Sequence, residues 1–241
     1  MAIAFDASEQ AFSGSNVASL TTPAFVIGGS NRYLVAGTGS GAGTRQAVTA
    51  VKWGGSGGTG LTQQGSAVDF SPANPYFRTT CWGLLAPTAQ SATLYASWAS
   101  NQDETALAGA SYTGVDQATP TGTLATATAN LSGGTQTPAP TVDASTVADD
   151  WVVDIVWVGD TSGASRTITA GAGQTAREEV EGANLVYECL GLSDEIATGA
   201  TTTMSWSISG SVNGGWGMFA LPLKPVSGAV APKRLTLLGV G

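Results

Sequence analysis

The chain has 241 residues, of which 33 are glycine, none is histidine and only 11% are charged. Without histidine it can form no Ser-His-Asp or Cys-His nucleophile and no two-histidine metal site, so the composition favours a protein without catalysis. Nine Lys and Arg against seventeen Asp and Glu give a net charge of −8, which argues against a nucleic-acid partner because phosphate binding needs a basic patch.

Short apolar runs recur along the chain between clusters of Gly, Ser, Thr, Asn and Pro, a pattern typical of an all-β protein. The apolar fraction of 42% is sufficient for a substantial core, and helical patterns are weak. We therefore expect an antiparallel β-sandwich of jelly-roll or lectin-like type, forming one domain over residues 1–225. The predicted strands are 24–27, 33–37, 48–53, 79–85, 92–98, 107–112, 151–158, 166–170, 185–190, 204–208 and 216–223.

Two glycine-rich segments follow predicted strands. Residues 37–43 (GTGSGAG) are interpreted as a mobile loop. Residues 55–60 (GSGGTG) fit the G-x-G-x-x-G pattern, but a dinucleotide site also needs a helix directly afterwards and an acidic residue about twenty positions further on. Residues 61–65 (LTQQG) start no helix and Asp69 comes too early, so we expect a loop and no bound cofactor.

Three segments in the second half give the clearest local predictions. Residues 151–158 (WVVDIVWV) are almost continuously apolar, as in a central strand buried on both faces. Residues 204–208 (MSWSI) alternate, which places Met, Trp and Ile on one face of a strand. Residues 211–215 (SVNGG) contain Asn-Gly, whose positive φ suits a tight hairpin turn between 204–208 and 216–223.

The acidic residues carry no recognised catalytic or metal-binding pattern. The groups at 103–104, 149–154 and 178–181 are interpreted mainly as solvating charges at strand ends. Asp103, Glu104 and Asp160 have the oxygen ligands for a weak calcium site, yet no D-x-[DN]-x-[DN]-G loop is present. We therefore predict no metal.

The two cysteines, Cys81 and Cys189, are far apart, and each lies in an apolar run. They define neither a zinc site nor a disulfide framework, so two buried free thiols are favoured over one bridge. The first residues (MAIAFD) lack the features of a signal peptide, and no apolar run approaches the ~18 residues of a membrane span. We expect a soluble protein made in a cytoplasm, without a membrane partner.

Most of the aromatic side chains are interpreted as core residues because they fall inside predicted strands. The tryptophans in this group are Trp53, Trp98, Trp151, Trp157 and Trp206. Tyr76 and Phe77 instead follow the turn-rich residues 72–75 (PANP) and are the better candidates for a surface platform that stacks on a sugar. They are the predicted glycan-binding residues if the protein binds carbohydrate.

The pattern changes after residue 225. Residues 226–232 (VSGAVAP) are typical of a flexible spacer and precede the basic pair Lys233 and Arg234. The apolar residues Leu235, Leu237 and Leu238 then favour one more strand. We interpret residues 226–241 as a C-terminal arm, with these five residues as the predicted partner-binding set, because an added strand binds a neighbour through backbone hydrogen bonds. The alternative is that the strand closes an edge of the same sandwich.

An ordered series of segments resembles a known module. The series is 29–35 (GSNRYLV), 48–55 (VTAVKWGG) with 61–62 (LT), 82–87 (WGLLAP), 112–120 (YTGVDQATP), 170–175 (AGAGQT), Trp206, Trp216 and 223–225 (LKP). Together they resemble a β-sandwich module of structural proteins of tailed phages and prophages, including capsid decoration and head-spike-like proteins, and of some bacterial surface proteins. The resemblance covers most of residues 1–225, and its most specific part is GVDQxTP. There, Asp116 and Gln117 are expected to cap a turn by accepting hydrogen bonds from backbone donors.

The resemblance implies a lectin-like or jelly-roll sandwich without established catalytic residues. We therefore expect a non-enzymatic virion protein, assembled in the host cytoplasm and bound on the phage capsid exterior as a decoration or head protein. Its expected partners are the major capsid protein or other virion proteins and further copies of the chain, with a trimer as one arrangement. The alternative is a carbohydrate-binding or adhesion module of a virion fibre or surface protein, with a host glycan as ligand.

Overall fold

Antiparallel β-sheets make up the chain wherever the structure describes it. The computed structural model describes residues 1–71, 76–160, 166–181 and 188–226, with side chains for all of these except 132–135. Within those ranges there is no helix, and hence no helix long and apolar enough to cross a membrane. The prediction of an all-β, antiparallel sandwich is confirmed.

The first half of the chain forms two principal sheets and a small ribbon. Its strands are β1 (Ala4–Ser13), β2 (Val17–Thr21), β3 (Phe25–Ile27), β4 (Tyr33–Ala42), β5 (Val48–Trp53), β6 (Thr59–Gly60), β7 (Thr62–Phe70), β8 (Tyr76–Leu85), β9 (Gln90–Ala92), β10 (Leu94–Gln102) and β11 (Glu104–Thr113). A five-stranded sheet, called inner sheet 1, has the order β1-β11-β4-β8-β7. A four-stranded sheet, called outer sheet 1, has the order β2-β10-β5-β6, and β3 pairs with β9.

The second half forms two further sheets. Its strands are β12 (Ala125–Gln136), β13 (Thr141–Ser145), β14 (Trp151–Asp160), β15 (Ile168–Ala170), β16 (Thr175–Val180), β17 (Glu188–Ile196), β18 (Thr201–Ile208) and β19 (Val212–Leu223). Inner sheet 2 has the order β12-β19-β14-β17-β16. Outer sheet 2 has the order β13-β18-β15.

The two halves repeat one strand order. In each inner sheet the first strand of the half pairs with its last strand, β1 with β11 and β12 with β19. The last strand then pairs with the long buried strand, β4 or β14, which pairs with β8 or β17. In each outer sheet the second strand pairs with the second-to-last, β2 with β10 and β13 with β18. The sequence predicts one sandwich, and the structure has two of the same topology.

The four sheets are stacked as four layers with three apolar cores. The inner sheets face each other, and the core between them includes Val35, Ile155, Trp157 and Phe219, all at most 1% exposed. Each outer sheet covers the far face of its own inner sheet and encloses a separate core. Strands β4 and β14 are therefore buried on both faces, as residues 151–158 predict.

The glycine-rich segment 37–43 is not a loop, because residues 37–42 form the buried second half of β4. A methyl group at Gly37 would overlap the Ile155 side chain, and one at Gly39 would overlap the Trp157 ring. These glycines let the two inner sheets approach closely enough for Trp157 to lie directly on the backbone of β4. The sequence prediction of a mobile loop is wrong because it weighs glycine's flexibility without this long-range packing.

Residues 204–208 form the strand predicted from their alternation, with Met204 and Trp206 buried on one face of β18. The predicted hairpin at 211–215 is wrong. Strand β18 belongs to outer sheet 2, whereas β19 belongs to inner sheet 2 and already contains Asn213. The chain changes sheets at residues 209–211, where Gly210 has a φ of 71°.

The turn after β11 is capped by one of the two predicted side chains. Asp116 Oδ1 accepts hydrogen bonds from the backbone N–H groups of Ala118 and Thr119 at 2.7 and 2.9 Å. Gln117 acts differently, because its amide donates to the carbonyl oxygens of Val115 and Arg32. The prediction for Asp116 is thus confirmed, and that for Gln117 is wrong in the direction of the hydrogen bond.

Both cysteines are buried free thiols, as predicted. Burial raises the pKa of Cys81 to about 12, so the thiol is not reactive at neutral pH. Trp151 is only half-buried. The other tryptophans predicted to lie in the core are at most 4% exposed: Trp53, Trp98, Trp157 and Trp206.

Candidate functional site

A cavity of about 180 Å³ opens at one end of the core between the inner sheets, and we call it the acidic pocket. Strands β4 and β14 end there, and β8, β11 and β17 begin there, so residues distant in sequence meet at one place. Its lining residues are Gly41, Ala42, Phe77, Asp103, Glu104, Asp160 and Glu188.

Two glutamates from opposite sheets meet in this pocket. Glu104 begins β11 of inner sheet 1 and is 9% exposed, and Glu188 begins β17 of inner sheet 2 and is 2% exposed. Gly41 is the register partner of Glu104, and a methyl group there would overlap Glu188 Oε1. The missing side chain at Gly41 therefore makes room for the Glu188 carboxyl.

The two glutamates influence each other's titration. Burial raises the pKa of Glu188 well above its ordinary value, and the nearby charge of Glu104 raises it further. Burial also raises the pKa of Glu104, while its hydrogen bond with Glu188 lowers it. Of the two carboxyls, Glu188 therefore has the more strongly raised pKa. Apart from the Glu104 carboxyl, no N–H or O–H group among the described residues donates a hydrogen bond to Glu188 Oε2.

Replacing Glu188 with glutamine is expected to stabilise the fold at pH 8 by about 1–3 kcal/mol, because the amide is uncharged and can donate to Glu104. Burial raises the folded-state pKa of Glu188 above its unfolded value, so the wild-type protein loses stability as the pH rises through that interval. The gain should therefore be smaller at pH 4. Urea unfolding at both pH values measures it.

Glu195→Gln is the matched control for that variant, because Glu195 lies on the same strand but is only half-buried. We expect it to change the free energy of unfolding by less than about 0.5 kcal/mol. Equal free energies of unfolding for E188Q and wild type at pH 8 would show that the Glu104–Glu188 pair does not destabilise the fold at that pH.

The third buried acid at this end is paired. Asp160 Oδ2 accepts hydrogen bonds from Arg166 Nε and Nη2 at 2.9 and 2.7 Å, and Oδ1 accepts one from the Asn213 N–H at 3.0 Å. The prediction that the acids at 103–104 and 149–154 are solvating charges is wrong for Glu104, Asp150 and Asp154, which are at most 9% exposed. Asp103, by contrast, is exposed at the rim.

A shallow region of about 640 Å³ adjoins the acidic pocket and shares Ala42 and Asp103 with it. We call it the polar depression. Its remaining lining, mostly amide and hydroxyl side chains, comes from the residue before β2, the residues after β4 and the last part of β10: Asn16, Gly43, Thr44, Ser100 and Asn101. A molecule bound in the acidic pocket could extend across this surface.

The opposite end of the central core has a cavity of about 440 Å³ that we call the terminal pocket. Its lining is largely apolar and comprises Met1, Ala2, Ile3, Asp149, Trp151, Ile196, Pro225 and Val226. Met1 is 66% exposed and Ile196 is 51% exposed. The two ends of the molecule therefore differ, one being acidic and the other apolar.

Both ends of the described chain are tied together beside the terminal pocket. The Met1 ammonium donates to the Val226 carbonyl oxygen at 3.2 Å, and the Val226 N–H donates to Gly114 O at 3.0 Å. The Asp116 N–H donates to Lys224 O at 2.8 Å. Val226, the last described residue, thus lies in the wall of the terminal pocket.

A buried polar network joins inner sheet 2 to outer sheet 2. Asp154 in β14 is completely buried, and its carboxyl accepts hydrogen bonds from Ser193 N (3.0 Å), Ser193 Oγ (2.6 Å), Trp206 Nε1 (2.7 Å) and Gln174 Nε2 (3.4 Å). Burial raises the pKa of Asp154 to about 7, against the lowering effect of the bonds from Ser193 and Trp206. This network holds two layers together and lines no cavity described above.

A second network crosses between the inner sheets. Asp194 in β17 accepts two hydrogen bonds from Arg177 at 2.6 and 2.9 Å and one from the Tyr112 hydroxyl at 2.9 Å. The Arg177 guanidinium also lies 3.9 Å from the centroid of the Phe5 ring. These contacts fix the edge where β1 meets β16, so we assign them a structural role.

Comparison of the chain with protein-family models, with curated proteins and with solved structures finds no match. The site is therefore interpreted from its own geometry. Sequence reasoning noticed Glu104 but missed Glu188, which begins a strand in the other half of the chain. A carboxylate directly before the buried run Cys189–Leu192 was the available signal.

The two residues predicted from the sequence to bind a glycan, Tyr76 and Phe77, differ in their exposure. Phe77 is 1% exposed and stacks on Phe70 at 5.5 Å between ring centroids, so its prediction as a surface ring is wrong. Tyr76 is half-buried, with the Arg45 guanidinium 4.7 Å from its ring centroid. The residues preceding Phe77 in the chain, 72–75, lie outside the described part.

The other predicted sites have different outcomes. Lys233, Arg234, Leu235, Leu237 and Leu238 lie outside the described residues, so the arm stays a prediction. For the calcium alternative, the structure brings Asp103, Glu104 and Asp160 to one pocket. Even so, no group of three or more His, Cys, Asp or Glu side chains in the described ranges is arranged to hold a metal ion.

Proposed function

We propose that this chain is a non-enzymatic structural protein of a virion, bound on the exterior of a phage capsid as a decoration or head protein. The ordered series of sequence motifs supports the virion assignment. The observation that supports the mode of attachment is the terminal pocket, which is lined by Val226, the last described residue, and by exposed apolar side chains.

We further propose that each half is a jelly roll. In both halves the first and last strands pair in one sheet, and the second and second-to-last strands pair in the other. This nesting is what two Greek keys produce when they form a double-sheet jelly roll. Two such units sharing one core make a body of four packed sheets, which suits a particle that survives outside cells.

The end of the molecule that carries the terminal pocket is the proposed contact surface. Two of the apolar side chains that line it are strongly exposed, namely Met1 (66%) and Ile196 (51%). Exposed apolar groups gathered in one region mark an interaction surface more often than single exposed residues do. The arm residues Lys233, Arg234, Leu235, Leu237 and Leu238 follow this surface in the chain and supply the proposed contacts with the capsid or with a sister subunit.

Removing residues 227–241 is expected to leave the body folded and to abolish its attachment to particles. The body should persist because the bonds of Met1 and Gly114 to Val226 are retained. Particles purified on a density gradient with and without the deletion, probed for the chain, measure the effect. We expect at least a tenfold loss of particle-bound protein.

A full-length variant with Leu237→Asp and Leu238→Asp is the matched control for chain length, and it should lose attachment as the deletion does. Thermal unfolding of both variants should match wild type. If the truncated protein loads onto particles as fully as wild type, the arm is not the attachment device, and the virion assignment then depends on the body alone.

The carbohydrate-binding alternative has no observation in its favour among the described residues. Phe77 is buried, and the Tyr76 ring is partly covered by Arg45. The two glutamates of the acidic pocket also do not fit a glycosidase, since they are hydrogen-bonded, whereas retaining enzymes hold their carboxyls about 5–5.5 Å apart. We therefore propose the structural function alone.

A further inference from the structure

The acidic pocket differs from the other places where the described chain buries an acid. Asp150, Asp154, Asp160 and Asp194 each accept at least one hydrogen bond from an N–H donor. Glu188 is 98% buried, yet its Oε2 accepts none from an N–H group of the described chain. Asp150 Oδ1 also lacks a partner, but Asp150 lines none of the cavities described above. A buried carboxyl without such a donor is costly to the fold, so its retention in a cavity points to a ligand that supplies the donor.

The chemistry of the pocket selects a cation. Glu104 and Glu188 face each other in a cavity of about 180 Å³, and the exposed carboxylate of Asp103 stands at its rim. Asp160 is already paired with Arg166, so the uncompensated charge of the pocket belongs to the coupled Glu104–Glu188 pair and to Asp103. A hydrogen-bond donor that enters the acidic pocket therefore finds carboxyl acceptors and negative charge.

A metal ion fits this arrangement less well than an organic cation. Calcium takes six to eight oxygen ligands, but the described residues offer no group of three or more carboxylates arranged for a metal. Part of the pocket wall is apolar, since Phe77, Gly41 and Ala42 line it. An ammonium group has three donors for the two carboxyls, and the alkyl chain that carries it can pack on such a wall.

We propose that the acidic pocket binds a primary alkylammonium, with Glu104 and Glu188 as its hydrogen-bond acceptors and Phe77 and Ala42 against its alkyl chain. The part of the ligand beyond the alkyl chain lies in the polar depression, because this region adjoins the pocket at Ala42 and Asp103 and is lined by amide and hydroxyl groups. The ligand is thus a lysine side chain presented by a protein, or a free diamine of similar length.

Calorimetric titration of the full-length protein at pH 8 tests this proposal. The probes are cadaverine, N-acetyl-lysine-N-methylamide, pentanol as a neutral isostere of the alkyl chain, and calcium chloride. We expect both amines to bind and pentanol to fail. A stronger signal from the capped lysine assigns the site to a protein side chain, and a stronger signal from cadaverine assigns it to a free amine.

The variants Glu188→Gln and Glu104→Gln should each weaken amine binding by about tenfold or more, the effect of losing one charged hydrogen-bond partner. Glu195→Gln, on the same strand as Glu188 but at its other end, should bind as wild type does. The urea midpoint of each variant shows whether it is folded. Binding of calcium without the amines, equal binding of pentanol, no binding of any probe, or amine affinity unchanged in folded E188Q would each overturn the proposal.

Discussion

Replacing Gly39 with alanine is expected to destabilise the protein by about 3 kcal/mol, the upper part of the range for overpacking a core. The added methyl group would overlap the Trp157 ring, which is fully buried between the inner sheets and cannot move aside. In an ordinary strand the same change is stabilising, because alanine loses less backbone entropy than glycine on folding. The sign of the effect is therefore diagnostic. Urea unfolding measures it.

Gly60→Ala is the matched control, since Gly60 lies in β6 and no atom approaches its missing side chain within 4 Å. It should be neutral or slightly stabilising. Combining Gly39→Ala with Trp157→Leu should cost less than the sum of the two single changes, because the smaller side chain vacates the space that the methyl group needs. Additive costs would mean that Gly39 and Trp157 are not in contact and that the inner sheets are not packed as described.

The second large effect is expected for Asp154→Ala, which should destabilise the protein by about 3 kcal/mol at pH 8. At that pH the carboxyl, whose pKa burial raises to about 7, is mostly ionised. Its removal leaves the Trp206 indole N–H and the Ser193 backbone N–H without an acceptor in a dry core. Urea unfolding measures the loss.

Asp143→Ala is the control for that variant, because Asp143 is also an acidic residue in a strand but is exposed and bonds only to Thr203 Oγ1. It should change the free energy of unfolding by less than about 1 kcal/mol. Asp154→Asn should remain destabilising, since its amide would place an N–H group against other donors. A loss no greater for Asp154→Ala than for Asp143→Ala would contradict the role of this network in joining inner sheet 2 to outer sheet 2.

These two predictions concern different interfaces of one repeated design. Gly39 governs the contact between the two sandwiches, whereas Asp154 governs the contact between the layers of the second sandwich. At the position of β4 that corresponds to Asp154, counted from the start of each buried strand, the first sandwich has Ala36. At this position the repeated topology thus accommodates an apolar side chain in one half and a hydrogen-bonded polar side chain in the other.

Local periodicity was enough to predict much of the fold. The continuous run 151–158 and the alternation at 204–208 each depend on burial within a few residues, and both form the strands expected of them. The cap made by Asp116 is likewise a local hydrogen-bond pattern. The repeated topology has one local counterpart in the sequence, the Ser-Trp pairs of β10 and β18 at residues 97–98 and 205–206, where both tryptophans are buried.

The failures share one physical cause, since each depended on a partner distant in sequence. Gly39 is part of a buried strand because Trp157 lies against it, and Asn213 continues β19 because that strand pairs with β14 instead of turning back on β18. Glu188 meets Glu104 only once two separate sheets have stacked. Nothing in the residues next to Gly39 or Asn213 carries that information.

The claim that this chain is an exterior virion protein is tested most directly by electron cryomicroscopy of particles purified from the source organism. We predict density for a four-layer β body outside the shell, oriented with the end that carries Met1 and Val226 toward the capsid. Particles that lack the chain, or that hold it inside the shell, would contradict the proposed function.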